Sequence, residues 1–98
     1  DSMRIFEEEI LSQLPDHYTS QQALIKDIAK VHGELLFIHP FREGNGRTSR
    51  ILANLMARKQ GYPGLNFKRI DFNEYIIAVQ QVARKDYYRM EQIIAYTF

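Results

Sequence analysis

Apolar residues recur three and four positions apart along nearly the whole chain, the spacing of amphipathic helices. Met3, Phe6, Ile10 and Leu14 mark one face of a first helix, which Pro15 closes. Residues 16–18 make a short loop, and Thr19 with Gln22 has the spacing of a capping box that opens a second helix. Leu24, Ile28, Val31 and Leu35 form one stripe of that helix, and Ile25, Ala29, His32 and Leu36 form the next. A helix with two adjacent apolar stripes is buried on most sides, so this one is expected at the centre. Pro40 disfavours helix at His39 and ends the element, leaving 39–45 as a loop.

A third helix is expected from about Gly46 to Gln60. Ile51, Leu52, Leu55 and Met56 should face inward, with Arg47, Arg50, Asn54 and Arg58 opposite. Gly61 is placed to stop it in a left-handed cap, with Pro63 just beyond. Asp71 and Glu74 cap a fourth helix through Tyr75, Val79 and Val82, and a last helix spans Tyr87 to Tyr96. Leu65 to Phe67 is the only strand candidate, and its signal is weak. The pattern is that of an all-α chain, a compact helical bundle of about five helices with short connections.

Composition narrows this further. Ninety-eight residues make one domain, 1–98. Net charge is +1, which argues against a nucleic-acid partner, since such a binder shows a strong basic excess or stripe. The absence of cysteine excludes disulfides and thiolate metal sites and is compatible with a cytoplasmic location. No apolar run approaches the roughly 20 residues of a membrane span, and no stretch reads as a secretory leader. The chain begins at Asp1 rather than Met, so it is expected to be a piece of a longer protein.

Candidate chemistry is concentrated in residues 39–50, His-Pro-Phe-Arg-Glu-Gly-Asn-Gly-Arg-Thr-Ser-Arg. Gly44 and Gly46 bracket Asn45 where the chain enters a helix. An isolated Gly-x-Gly is ordinarily a plain turn, but at a helix N-terminus its unpaired N–H groups and partial positive charge suit phosphate oxygens. Arg47 and Arg50, three apart, share a face and carry guanidinium forks that match phosphate. Glu43 beside such a site is repulsive unless a cation intervenes, and magnesium held by one carboxylate plus phosphates and waters resolves the conflict. His39 is the candidate base, its pKa expected to fall beside the arginines and the helix terminus. Phe41 is expected to pin the loop to the core, His32 to be a buried histidine bonded to a backbone carbonyl, and His17 to lie at the surface. The segment is not a Walker loop, which needs four residues between its glycines and a Lys-Ser/Thr pair.

These residues resemble the signature of Fic domains: His-Pro-Phe, one variable residue, Asp or Glu, Gly-Asn-Gly-Arg, two residues and a final Arg. Every fixed position is matched within 39–50, and the flanks Leu36-Phe37-Ile38 and Gly61-Tyr62-Pro63 agree. The resemblance covers roughly Thr19 to Ala83. It implies an all-α Fic-like core and transfer of AMP from ATP to a Ser, Thr or Tyr hydroxyl of a target protein, releasing pyrophosphate. His39 would deprotonate that hydroxyl. Glu43 would hold Mg2+ at the α- and β-phosphates. Gly44, Asn45, Gly46 and Arg47 would cradle phosphate, with Pro40 and Phe41 in support. Arg50 would take the γ-phosphate, and the adenine pocket would lie around Tyr75.

Two features of the family are not found in this sequence. The inhibitory motif of Ser or Thr, three residues, then Glu and Gly or Asn is absent, so an inhibitory segment or an antitoxin-like partner would act in trans. The β-hairpin flap that precedes the first helix in relatives is also not found, and the core is expected without it. Relatives that phosphorylate bear Lys at the position of Gly46, and those that move phosphocholine tend to carry Ala at Gly44, which keeps AMP transfer ahead. Use of another nucleotide, or a non-catalytic module that recognises phosphate, are the competing readings.

Overall fold

The computed structural model describes residues 14–15, 17–38 and 45–98, with the backbone alone at 37–38 and 45–48. There are four α-helices among the described residues, α1 (Gln21–Ile38), α2 (Asn45–Lys59), α3 (Phe72–Val82) and α4 (Tyr88–Thr97), with a 3₁₀ turn at Phe67–Arg69 between α2 and α3. Among the described residues there is no strand, and no helix is long and apolar enough to cross a membrane. The expected first helix, 3–14, falls outside the described residues except for Leu14, which is not helical beside Pro15 and packs on Val31 and Leu35.

Helix α1 is central and packs against α2, α3 and α4. Leu24, Ile28, Ala29, Val31, His32, Leu35 and Leu36 are all buried, so both apolar stripes are used. The helix begins one residue later than the capping-box reading implied. Ser20, not Thr19, caps it, its hydroxyl oxygen accepting from the Ala23 amide at 3.1 Å. Buried Glu34 accepts from Lys85 Nζ at 2.7 Å and from the Tyr87 hydroxyl, which fastens the α3–α4 turn onto α1.

Helix α2 docks by a face that keeps Leu52 and Met56 inward as expected but leaves Ile51 and Leu55 outside. Among its described side chains the buried ones are Ser49, Ala53 and Ala57, spaced four apart. Leu52 and Met56 flank this stripe and reach Val31 and Leu35, whereas Ile51 and Leu55 are 52% and 58% exposed. A stripe of small side chains lets the backbones of α1 and α2 come together, and a bulkier stripe at the same face would hold them apart. Hydrophobicity alone pointed to Ile51 and Leu55; closeness of approach selects the alanines. The helix ends as expected at Gly61, which takes φ +92°. Tyr62 N–H donates to the Ala57 carbonyl at 3.1 Å and Gly61 N–H to Arg58 at 3.0 Å, the paired bonds of a Schellman end.

Leu65 to Phe67 is not a strand. The Leu65 amide donates to Asn54 Oδ1 at 2.6 Å and the Asn66 amide to the Thr97 carbonyl at 2.8 Å. Asn54, expected on the solvent face of α2, is therefore the hook that ties this connection down, and Phe67 opens the 3₁₀ turn. Asp71 caps α3 as expected, accepting from the Glu74 amide at 3.3 Å. Helix α4 starts at Tyr88, one residue beyond the predicted start, and buries Met90, Ile94 and Thr97.

Helix α3 crosses α1 at Gly33, where a Cβ would lie 2.7 Å from Val82 Cγ2 and 3.3 Å from Cγ1. Val82 is fully buried and stiff, so it has nowhere to move. Gly33→Ala is therefore expected to destabilise by about 1 kcal/mol, although alanine alone favours a helix by a similar amount over glycine. Adding Val82→Ala should recover the loss. Urea unfolding midpoints check this, and a Gly33→Ala protein more stable than its parent would contradict the close crossing.

Candidate functional site

The amino end of α2 opens on Asn45, Gly46 and Arg47, whose backbone is already helical. The first turn has no acidic residue, and the leading N–H groups of the helix carry a partial positive charge. Just over one turn further on, Arg50 lines a cleft of about 330 Å³. Its other walls are Phe67 and Lys68 from the 3₁₀ turn, Ile70 from the link that follows, and Phe72 and Tyr75 from α3. Among the described residues that line it, Arg50 and Lys68 are the charged ones and none is acidic. The cleft thus combines an aromatic and aliphatic wall with two cations, which suits a flat apolar group carrying negative charge.

The back of this cleft is built on His32. Its ring is 1% exposed and sits 5.3 Å from the Phe67 ring and 5.7 Å from the Tyr75 ring, centroid to centroid. Nδ1 lies 3.1 Å from the Ser49 carbonyl oxygen, and Nε2 is hydrogen-bonded to the Tyr75 hydroxyl. The expectation of a buried histidine bonded to a backbone carbonyl is met. Burial pushes its pKa down to about 4, with nearby Arg50 adding to the fall and the Ser49 bond opposing it. Burial likewise raises the Tyr75 phenol well above its ordinary value, so it stays protonated.

The structure brings together two of the sequence-predicted site residues, Arg50 and Tyr75. Asn45, Gly46 and Arg47 stand at the helix entry with only their backbone described. His39, Pro40, Phe41, Glu43 and Gly44 lie outside the described residues, and so does the expected lowering of the His39 pKa. His17 is exposed, as expected. Phe67, Lys68, Ile70 and Phe72 were missed. Their signal was local, an aromatic beside two bases in Phe67-Lys68-Arg69, but the weak strand reading masked it.

A larger cavity, about 450 Å³, lies between the start of α3 and α4 and is lined by Arg69, Asp71, Glu74, Arg89 and Tyr96, among others. Its charges are largely matched, with Arg89 donating to Glu74 at 2.7 Å, and among the described residues Arg50 does not line it. Among the described residues no group of three or more His, Asp or Glu side chains could hold a metal ion.

Comparison with known proteins bears on the same segment. The model of the Fic/DOC family matches residues 3–57, beginning upstream of Thr19 and stopping short of the 3₁₀ turn and α3. "Protein adenylyltransferase Fic" of Aedes aegypti is 38% identical over 73 residues, 66% of this chain and 15% of that protein. The protein of the same name from Drosophila willistoni is 44% identical over 50 residues, 51% of this chain and 10% of its own. "Protein adenylyltransferase fic-1" of Caenorhabditis elegans is 40% identical over 55 residues, 56% of this chain and 11% of its own. The chain thus spans only 10% to 15% of the length of these relatives. No solved structure matches it. With the family match extending over more than half of its residues, and the whole 39–50 signature inside that match, this chain belongs to the Fic/DOC family.

Proposed function

We propose that this chain is the catalytic core of a protein adenylyltransferase, moving AMP from ATP to a Ser, Thr or Tyr hydroxyl of a target protein. The supporting observation is the cleft that joins Arg50 to the aromatic wall of Phe67 and Tyr75 close to the α2 amino end. A nucleotide there has cations for its phosphates and rings for its base. Gly44, Asn45, Gly46 and Arg47 would cradle the phosphates and Arg50 the γ-phosphate, with Tyr75 at the adenine. Pro40 and Phe41 would hold the loop in place.

The target hydroxyl attacks the α-phosphorus, the bond to the β-phosphate oxygen breaks, and pyrophosphate leaves. His39 takes the hydroxyl proton and returns it to solvent. The donor set suits magnesium, since one carboxylate with phosphate oxygens and waters is its usual company. Glu43 would hold it, and bound there the ion supplies neutralisation of polyphosphate charge. A cytoplasmic setting, where ATP and magnesium are at hand, fits this reading, as does inhibition by a segment or partner acting in trans. The relatives carry the name protein adenylyltransferase.

The test is incubation with a candidate target and ATP labelled once at the α- and once at the γ-phosphate. Target that retains α label and no γ label is the expected result. Retention of γ label would mean phosphoryl transfer. Retention of neither, with ATP still bound, would favour a phosphate-recognising module.

A further inference from the structure

His32 lies outside the 39–50 signature, yet its ring touches three parts of the cleft. The Ser49 carbonyl can only accept, so Nδ1 carries the ring proton. Nε2 is then an acceptor, and the Tyr75 hydroxyl must be its donor. The single proton of the phenol is thereby committed to the imidazole. Tyr75 has no donor left for a ligand and meets one through its ring. The Ser49 carbonyl belongs to the peptide unit that leads into Arg50, so the same imidazole also sets where the guanidinium begins. Phe67, the other aromatic wall, packs on the third side of the ring.

We propose that His32 is a positioning residue for the nucleotide: it sets the two aromatic walls of the cleft against Arg50 and presents Tyr75 to the base as a ring rather than as a hydrogen-bond donor. A plain core role would ask only for a side chain of this volume. The contacts ask for more, a planar group with a donor on one edge and an acceptor on the other. The inference rests on reading the cleft as the nucleotide site.

The experiment is titration of this chain with ATP and magnesium by calorimetry, together with thermal unfolding. The variants are His32→Leu, His32→Gln, Tyr75→Phe and the double change His32→Leu/Tyr75→Phe, with Arg50→Ala as reference. His32→Leu and Tyr75→Phe are each expected to weaken ATP binding about tenfold, since each breaks the same bond. His32→Gln, which keeps an acceptor for the phenol, should stay within about threefold of the parent. The double variant removes both partners of the His32–Tyr75 bond, so thermal stability should partly recover, because the buried phenol is no longer left without its acceptor. ATP affinity should not recover with it.

Recovery of affinity together with stability would show a merely structural role and overturn the proposal. So would parental affinity in Tyr75→Phe or His32→Leu while Arg50→Ala is weakened; the nucleotide reading of the cleft would then still stand. Should His32→Leu fail to fold, the same decision falls to Tyr75→Phe and His32→Gln. Parental affinity in Arg50→Ala as well would remove the nucleotide reading itself, and the inference with it.

Discussion

Replacing His39 with Ala is expected to lower AMP transfer by about 10²- to 10⁴-fold, the usual contribution of a positioned base. ATP binding should barely change. The reason lies in what each group does. A target hydroxyl is a poor nucleophile until its proton has somewhere to go, and a neutral imidazole accepts it near pH 7. In the proposed reading the guanidinium of Arg50 and the amides at the α2 entry would hold phosphate in both the parent and the variant, and neither can take a proton. The loss should therefore fall on kcat, with KM for ATP near its parental value. Single-turnover transfer from α-labelled ATP, measured beside equilibrium binding, checks both halves. Transfer that survives intact in His39→Ala would assign the proton to another acceptor. A parallel loss of ATP affinity would make His39 a binding group instead.

Acid should destabilise this protein through His32. In the unfolded chain the imidazole titrates at its ordinary 6.5, whereas in the folded protein burial holds it at about 4. Above pH 6.5 both states are neutral at this position and nothing is lost. Between pH 6.5 and 4 the unfolded chain binds a proton that the folded protein refuses, so stability falls as pH falls. Below the folded value both states are charged and the loss is complete. It amounts to roughly 3 kcal/mol, a large share of the stability of a domain this small. The physical event is concrete. Protonated Nε2 can no longer accept from Tyr75, and a cation then sits buried in a wall of aromatic rings beside Arg50. Urea unfolding at a series of pH values should show this extra loss in the parent and not in His32→Gln. Curves for the two proteins that stay parallel from pH 7 to 4 would remove His32 as the cause.

How far the sequence could be read depended on the type of signal. Periodicity located every helix now described to within a residue or two. Local chemistry did the same for ends, as at Asp71 and Gly61, because a cap bonds within its own few residues. His32 was legible for a similar reason. A histidine inside an apolar stripe needs a buried partner, and the Ser49 carbonyl supplies it. The errors share a cause too. Ile51 and Leu55 were assigned inward on hydrophobicity, but which face of α2 docks depends on how near α1 can come. Asn54 was assigned to solvent because its partner, the Leu65 amide, lies beyond the helix end.

By itself the sequence determined that the chain is helical, where the described helices start and stop to within a residue or two, and that residues 39–50 carry the family's signature, for these depend on neighbours a few positions away. Only the tertiary structure decided that Phe67, Lys68 and Tyr75 stand around Arg50, and that His32 supports them from behind. Those groups come from four separate stretches of chain. Packing of α1, α2 and α3 brings them together, and that packing follows from shape and closeness of approach, which no pattern along a single segment records.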